Sequence, residues 1–343
     1  MRVSKTRYLI LAEGFSTDPH YGKTARGVLR YRRDDVVAVL DSTRAPGDTE
    51  DGVPVVGSVD DALQFDPNTA LVCVATQGGR FPPAWIDLLE SCISSGLDVE
   101  NGLHVFLADD PHLKELAGRQ DVELRDLRRP PADLSTASGA NLDVPATIVL
   151  TVGSDCAIGK MTVSLELDLE ARRRGIRSVF VPTGQTGIAI AGWGIAVDAV
   201  VADFIAGAAE RLVIEGAERG GELLWVEGQG AILHPVYSGV TLGLYHGSVP
   251  HLLVLCHEAG RGEIEGAGPH PIPPLRELVE LHELLALPAR PARVGAVALN
   301  TSRLTQREAR RAIAAAKAET GLPADDPVRF GSAGLVAALL EAG

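Results

Sequence analysis

Thr151-Val152-Gly153-Ser154-Asp155-Cys156-Ala157-Ile158-Gly159-Lys160-Met161-Thr162 follows the apolar run Ala146-Thr-Ile-Val-Leu-Thr151 and precedes a helical pattern over residues 163–174. The order reads as strand, phosphate loop and helix. A glycine-rich turn at such a junction lets successive backbone N–H groups converge on an anion, the helix N-terminus adds partial positive charge, and Lys160 supplies a full one. The usual spacing is G-x-x-x-x-G-K-[ST]. Here five residues separate Gly153 from Gly159, and Met161 stands where a magnesium-binding hydroxyl is expected, with Thr162 one residue late. The bland alternative is a plain turn with a chance lysine. The flanking strand and helix favour anion binding, and the missing hydroxyl speaks against nucleotide hydrolysis.

Downstream of the loop, short apolar runs alternate with helical patterns, as in a parallel sheet covered on both faces. A strand over residues 178–181 runs into Pro182-Thr-Gly-Gln185-Thr186-Gly187, a glycine-rich candidate substrate loop. A helix is expected over 199–217, strands over 223–226, 251–256 and 293–299, a proline-rich loop over 268–274 and a surface helix over 305–320. Strands of this kind deliver the residues after them to one edge. The loop, Gln185-Thr186, Glu227, His257 and Asn300 should therefore meet. Glu227 ends a wholly apolar strand, where an acid serves as base, water positioner or metal ligand rather than as a solvated surface group. His234 and His246 are placed in a loop with three glycines and Tyr237; each is a candidate base, or a structural histidine. Cys156 is either a thiol activated at a helix N-terminus or, as favoured here, simply part of the loop backbone.

The first 130 residues show the same alternation, with apolar runs at 8–12, 36–40, 53–56 and 70–75 and helical patterns at 23–31, 60–63, 83–95 and 111–117. The first turn, residues 13–24, lacks G-x-G-x-x-G. Asp41 nevertheless follows the second strand where a dinucleotide fold puts a ribose-binding acid; a turn or cap role is the competing reading. Gly22-Lys23-Thr24 is read as a helix cap ahead of a phosphate site. Prolines and small polar residues over 131–145 mark a linker between a Rossmann-like domain (1–130) and a P-loop domain (146–343). The expected fold is thus α/β with two parallel sheets. A formal net charge of −13 argues against nucleic acid or an anionic membrane as partner. Four scattered cysteines offer neither a zinc spacing nor a disulfide framework, so no metal site is expected and a reducing cytoplasm fits. No apolar stretch approaches the roughly 20 residues of a membrane span.

The loop 153–160, Glu227-Gly-Gln-Gly230 and Val297-Ala-Leu-Asn300 resemble a dethiobiotin-synthetase-like P-loop domain, in which the later acid binds metal and the asparagine reads adenine. Phe180-Val-Pro182 stands where those enzymes have a second lysine, so dethiobiotin formation is not expected. Over nearly its whole length the chain is similar to the DgcN family, through Gly22-Lys-Thr-Ala25, residues 153–162, Pro182-Thr-Gly-Gln-Thr-Gly187, Ala202-Asp-Phe204, Glu227-Gly-Gln-Gly230 and residues 233–247. That resemblance implies N-acetylation of D-glutamate, or of a similar amino acid, by acetyl-CoA in D-amino-acid catabolism. The phosphates of coenzyme A would suit a loop that hydrolyses nothing. Residues 153–162 and Asn300 are then the expected donor site, and Glu227, His234 and His246 the expected catalytic groups. Gln185, Thr186, Tyr237 and Arg261 are assigned to the amino acid, with Arg261 facing its carboxylate. The expected partners are a small-molecule amino acid and further copies of the chain in a homo-oligomer. A ligase or kinase using ATP and Mg2+ to form an acyl phosphate is the alternative, and a non-catalytic nucleotide switch a third.

Overall fold

The structure is a computed structural model that describes residues 5–18, 22–74, 81 and 85–343. Parts of three expected features, the turn at 13–24, the strand end at Ala75 and the helix start at Pro83, lie outside the described residues. The chain divides into two units, 1–129 with 188–193, and 130–187 with 194–343.

The first unit holds a seven-stranded sheet in the order β3-β4-β2-β1-β5-β6-β7, with β1 (Tyr8–Leu11), β2 (Val36–Leu40), β3 (Thr49–Glu50), β4 (Val53–Val56), β5 (Thr69–Val72), β6 (Asp98–Asn101) and β7 (Leu124–Asp126). All its pairings are parallel except β3 with β4. Helices α1 (Lys23–Tyr31), α2 (Val59–Leu63), α3 (Trp85–Ser94) and α4 (Pro111–Gln120) connect the strands. The central strands are apolar along their whole length because helices cover both faces of such a sheet. Asp41 is not open to a ribose. Its carboxylate accepts from the N–H groups of Gly14, Ser16 and Thr43, each at 3.1 Å, and from the Thr43 hydroxyl. Burial pushes this carboxyl up, but those hydrogen bonds outweigh it and hold it below the usual range. It is a turn brace. Gly22 caps α1 where a Cβ would lie 2.6 Å from the Phe15 carbonyl, so close approach explains that glycine.

The second unit is a six-stranded, wholly parallel sheet in the order β13-β12-β11-β8-β10-β9. Its strands are β8 (Thr147–Gly153), β9 (Ser178–Val181), β10 (Leu223–Val226), β11 (Leu252–Glu258), β12 (Arg293–Asn300) and β13 (Ala324–Asp325). The helices are α5 (Lys160–Arg173), α6 (Gln185–Ala191, of which residues 188–191 are counted with the first unit), α7 (Ala202–Glu218), α8 (Ser238–Ser248), α9 (Leu275–Leu284), α10 (Gln306–Thr320) and α11 (Ala333–Ala342). Strand β8 sits between β10 and β11, so the loop after it is flanked by the ends of both. That is the topological switch point at which α/β sheets bind ligands.

Two expectations change here. Residues 233–247 are not all loop, because α8 begins at Ser238. Gly239, Gly243 and Gly247 recur every fourth residue, and a Cβ at Gly247 would lie 2.2 Å from the Ala206 carbonyl while one at Gly243 would lie 2.6 Å from Ile205. Packing against α7 therefore overrides glycine's poor helix propensity. Residues 131–145 are not a free linker either. The Ser138 and Gly139 N–H groups donate to the Glu210 carboxylate of α7, and Asn141 Nδ2 donates to the Gly247 carbonyl at 2.8 Å. The segment is a strap on the α7–α8 pair.

Candidate active site

Between β8 and α5 the backbone turns through two left-handed residues, Ala157 (φ +55°) and Gly159 (φ +107°). A non-glycine residue in that region is uncommon, and such strain gathers where function fixes a backbone. Among the described residues no hydrogen bond is made by any backbone N–H from Ala157 to Thr162. Six consecutive unpaired donors at the head of a 14-residue helix form an anion cradle. Lys160 is buried, and its Nζ donates to the Asp155 carbonyl at 2.7 Å, so its charge lies inside the loop. Burial pulls this ammonium below the usual lysine range, while Cys156, Cys256, Asp155 and Glu227 oppose that shift.

Glu227 follows β10, and Gly228 presses it against the loop. A Cβ on Gly228 would lie 1.8 Å from the Thr151 carbonyl and 3.0 Å from Lys160 Cδ, and its N–H donates to Thr151 Oγ1 at 2.9 Å. The Glu227 carboxylate is buried and takes the N–H groups of Thr183 (2.9 Å) and Gly184 (3.2 Å) on Oε2. Among the described residues Oε1 accepts no hydrogen bond. Burial pushes the carboxyl up to about 7, against the pull of those two amides and of Lys160. Gly187 makes room for it, since a Cβ there would stand 2.4 Å from Oε2. The result is an acid that exchanges protons near neutral pH beside an anion cradle, a pairing typical of functional sites.

The third wall comes from β11. Ser154 Oγ lies 2.9 Å from His257 Nδ1, and Asp155, wholly buried, accepts from Arg261 at 2.8 Å, from the Glu265 N–H at 2.9 Å and from the Cys156 N–H at 2.6 Å. Arg261 also pairs with Glu258 and Glu265. It therefore fixes the loop, and a substrate carboxylate would have to displace one of three acids. His257 and Arg261 also border a cavity of about 430 Å3, walled by Pro274, Leu299, Ala316 and Glu319 among others.

Of the candidate bases, His234 joins the loop and His246 does not. His234 is buried; one of its ring nitrogens, a carboxylate oxygen of Asp155 and the Cys156 sulfur all lie within 4.8 Å of one another. The Val236 N–H donates to His234 Nδ1 at 3.2 Å, so the neutral ring carries its proton on Nε2 and is a donor there. The ring of Tyr237, half exposed, packs against it tilted by 45° with centroids 4.7 Å apart. His246 lies on α8 and bonds the Leu285 carbonyl through Nε2 at 2.9 Å. Asn300 reaches the Ile158 carbonyl of the loop at 3.4 Å, and Gln185 and Thr186 open α6 just beyond the amides that hold Glu227. The sequence puts Thr183 and Gly184 in a candidate substrate loop and Gln229 in the Glu227-Gly-Gln-Gly230 motif but gives them no individual role; in the structure Gln229 Nε2 donates to Thr183 Oγ1 at 3.2 Å.

Fold and site together define a two-domain α/β protein, Rossmann-like and then P-loop, whose loop lacks the usual metal-binding hydroxyl. Residues 135–336 match a domain described as the DUF1611 C-terminal P-loop domain of unknown function, and residues 41–130 match the corresponding N-terminal Rossmann-like domain. The chain belongs to the DUF1611 family. It is 35% identical, over 98% of each chain, to a protein of Tritonibacter scottomollicae named D-glutamate N-acetyltransferase. A Pseudoalteromonas protein of the same name is 34% identical over 82% of this chain and 84% of its own. The crystal structure of a DUF1611 family protein from Anabaena variabilis superposes with a TM-score of 0.90 at 41% identity, covering 98% of this chain and 99% of that one. Among the described residues no helix is long and apolar enough to cross a membrane.

Proposed function

We propose that the chain is an amino-acid N-acetyltransferase that moves the acetyl group of acetyl-CoA to the amine of D-glutamate, a cytoplasmic step in D-amino-acid breakdown. The observation that carries the reaction is the match, over 98% and 82% of this chain, to two proteins named for it. The site supports it chemically. An amine that attacks a thioester must lose a proton, and Glu227 Oε1 is the acceptor whose titration near 7 suits that task. The carbonyl oxygen gains negative charge as it is attacked, and the unpaired amides 157–162 with Lys160 would stabilise it. We assign the body of the donor to the cavity beside His257 and Arg261, whose volume lies in the range of small-ligand sites. Gln185 and Thr186 are assigned to the amino acid.

Enzyme, acetyl-CoA and D-glutamate together should release free thiol and form N-acetyl-D-glutamate with no ATP present. A screen of D- and L-amino acids that finds no thiol release, yet finds ADP once ATP and Mg2+ are added, would replace this reading with the acyl-phosphate ligase.

A further inference from the structure

Three of the four cysteines are inert by placement. Cys73, Cys92 and Cys256 are buried, and burial pushes their thiols up, to about 12 for the latter two. Cys156 differs, being half-buried at the turn of the cradle and neighbour to the His234 and Asp155 side chains. His234 is 3% exposed, and among the described residues its Nε2 has no hydrogen-bond partner. That nitrogen is not sealed from solvent, so its N–H is open to a ligand or a reacting group.

Two readings fit a Cys–His–Asp cluster, a metal site and a nucleophile. The metal reading fails on ligands. Both Asp155 oxygens are taken, one by the Cys156 N–H and the other by Arg261 and the Glu265 N–H, and the Lys160 ammonium lies within the same loop. What remains is a partly exposed thiol at a helix N-terminus with an imidazole and a carboxylate as neighbours, the arrangement in which cysteine acts as a nucleophile. The cradle is then better used at the reacting carbonyl than at a distant phosphate. Nucleophile, proton donor, oxyanion-stabilising amides and the Glu227 base all stand around this one loop.

We infer that the loop is the acyl-transfer centre and that Cys156 carries the acetyl group as an S-acetyl intermediate. This rests on acetyl-CoA being the donor. In the first step the Cys156 sulfur bonds to the thioester carbon and the bond from that carbon to the CoA sulfur breaks. The thiol proton of Cys156 ends on the departing CoA sulfur. In the second step the amine nitrogen bonds to the acetyl carbon and the Cys156 thioester breaks. Of the two protons the ammonium group loses, one restores the Cys156 thiol and one passes to Glu227 and then to solvent. The Asp155 carboxylate, held by Arg261 and holding the Cys156 N–H, is a positioning group.

The test uses the whole protein with acetyl-CoA and no amine. The parent should take up one acetyl group, released by neutral hydroxylamine or by D-glutamate and mapped to the peptide containing Cys156. It should also exchange labelled CoA into acetyl-CoA without an amine. Cys156→Ala should lose both signals while melting like the parent, and Cys156→Ser gives an independent check on folding. If the parent makes N-acetyl-D-glutamate from acetyl-CoA but shows no adduct and no exchange, and Cys156→Ala turns over at the parental rate, the covalent step is wrong and the donor assignment stands. If the parent makes no such product, both fall. Stoichiometric zinc lost on Cys156→Ala would also overturn the nucleophile.

Discussion

Glu227→Gln should separate what this acid does for the reaction from what it does to the fold. Its carboxyl is raised from 4.5 to about 7 chiefly by burial. At about 1.4 kcal/mol per pH unit, that gap corresponds to a cost of about 3 kcal/mol for holding the side chain ionised in the folded protein. The folded state binds this proton more tightly than the unfolded chain does. The stability contributed by the neutral form is therefore complete below pH 4.5 and is lost as the pH rises through about 7. Glutamine keeps a carbonyl oxygen for the Thr183 and Gly184 amides and never ionises. Urea unfolding of parent and variant should give similar stabilities near pH 5, with the variant the more stable by about 3 kcal/mol, to order of magnitude, above pH 8. Turnover moves the other way: removal of a general base should lower the rate by roughly 10²–10⁴-fold, and the parental rate should fall on an acid limb near pH 7. A stability difference that does not change with pH would refute the burial argument. A variant that turns over at the parental rate would remove Glu227 from the chemistry.

Two further outcomes test the frame around the loop. Arg261→Met strands the buried Asp155 and Glu258 carboxylates, and urea midpoints should report a loss of about 3–5 kcal/mol; a change near zero would mean that the loop does not depend on this arginine. On α8, His246→Asn should leave the transfer rate unchanged. On the same helix, Gly247→Ala should lower the melting temperature, because overpacking against the Ala206 carbonyl costs about 1–3 kcal/mol; a slow but stable His246 variant would return that histidine to the site.

What the sequence made legible was local. The β8–loop–α5 unit is contiguous, so an apolar run, two glycines and a lysine suffice to read it, and Glu227 stood out as an acid closing an apolar strand. The meeting of His234 with Cys156 was not legible. It depends on the strand order that sets β10 beside β8, and on where the turn after Gly230 sends the chain. Glycines misled at Gly243 and Gly247, which serve helix contact rather than a loop. Charged residues misled for a related reason: Asp41 and Arg261 look like ligand groups in one dimension, yet both hold backbone turns once their partners arrive from elsewhere in the chain.

That contrast is itself an argument about where function lies. Across the two sheets apolar strands are buried and polar groups such as Asp41 and Glu210 are paired, although Asn141 Oδ1 and His282 Nε2 are buried without partners. Around the loop several departures gather. Ala157 has a positive φ, six backbone amides lack partners among the described residues, a lysine and a glutamate are buried with their proton affinities pulled toward each other, and a histidine lies near a thiol. Burying the charged forms of the lysine and the glutamate costs stability. Costs that gather within one loop and its two neighbours persist only where they are offset by what the site does, and acyl transfer uses every one: a fixed anion cradle, a base near neutrality, a donor and a nucleophile.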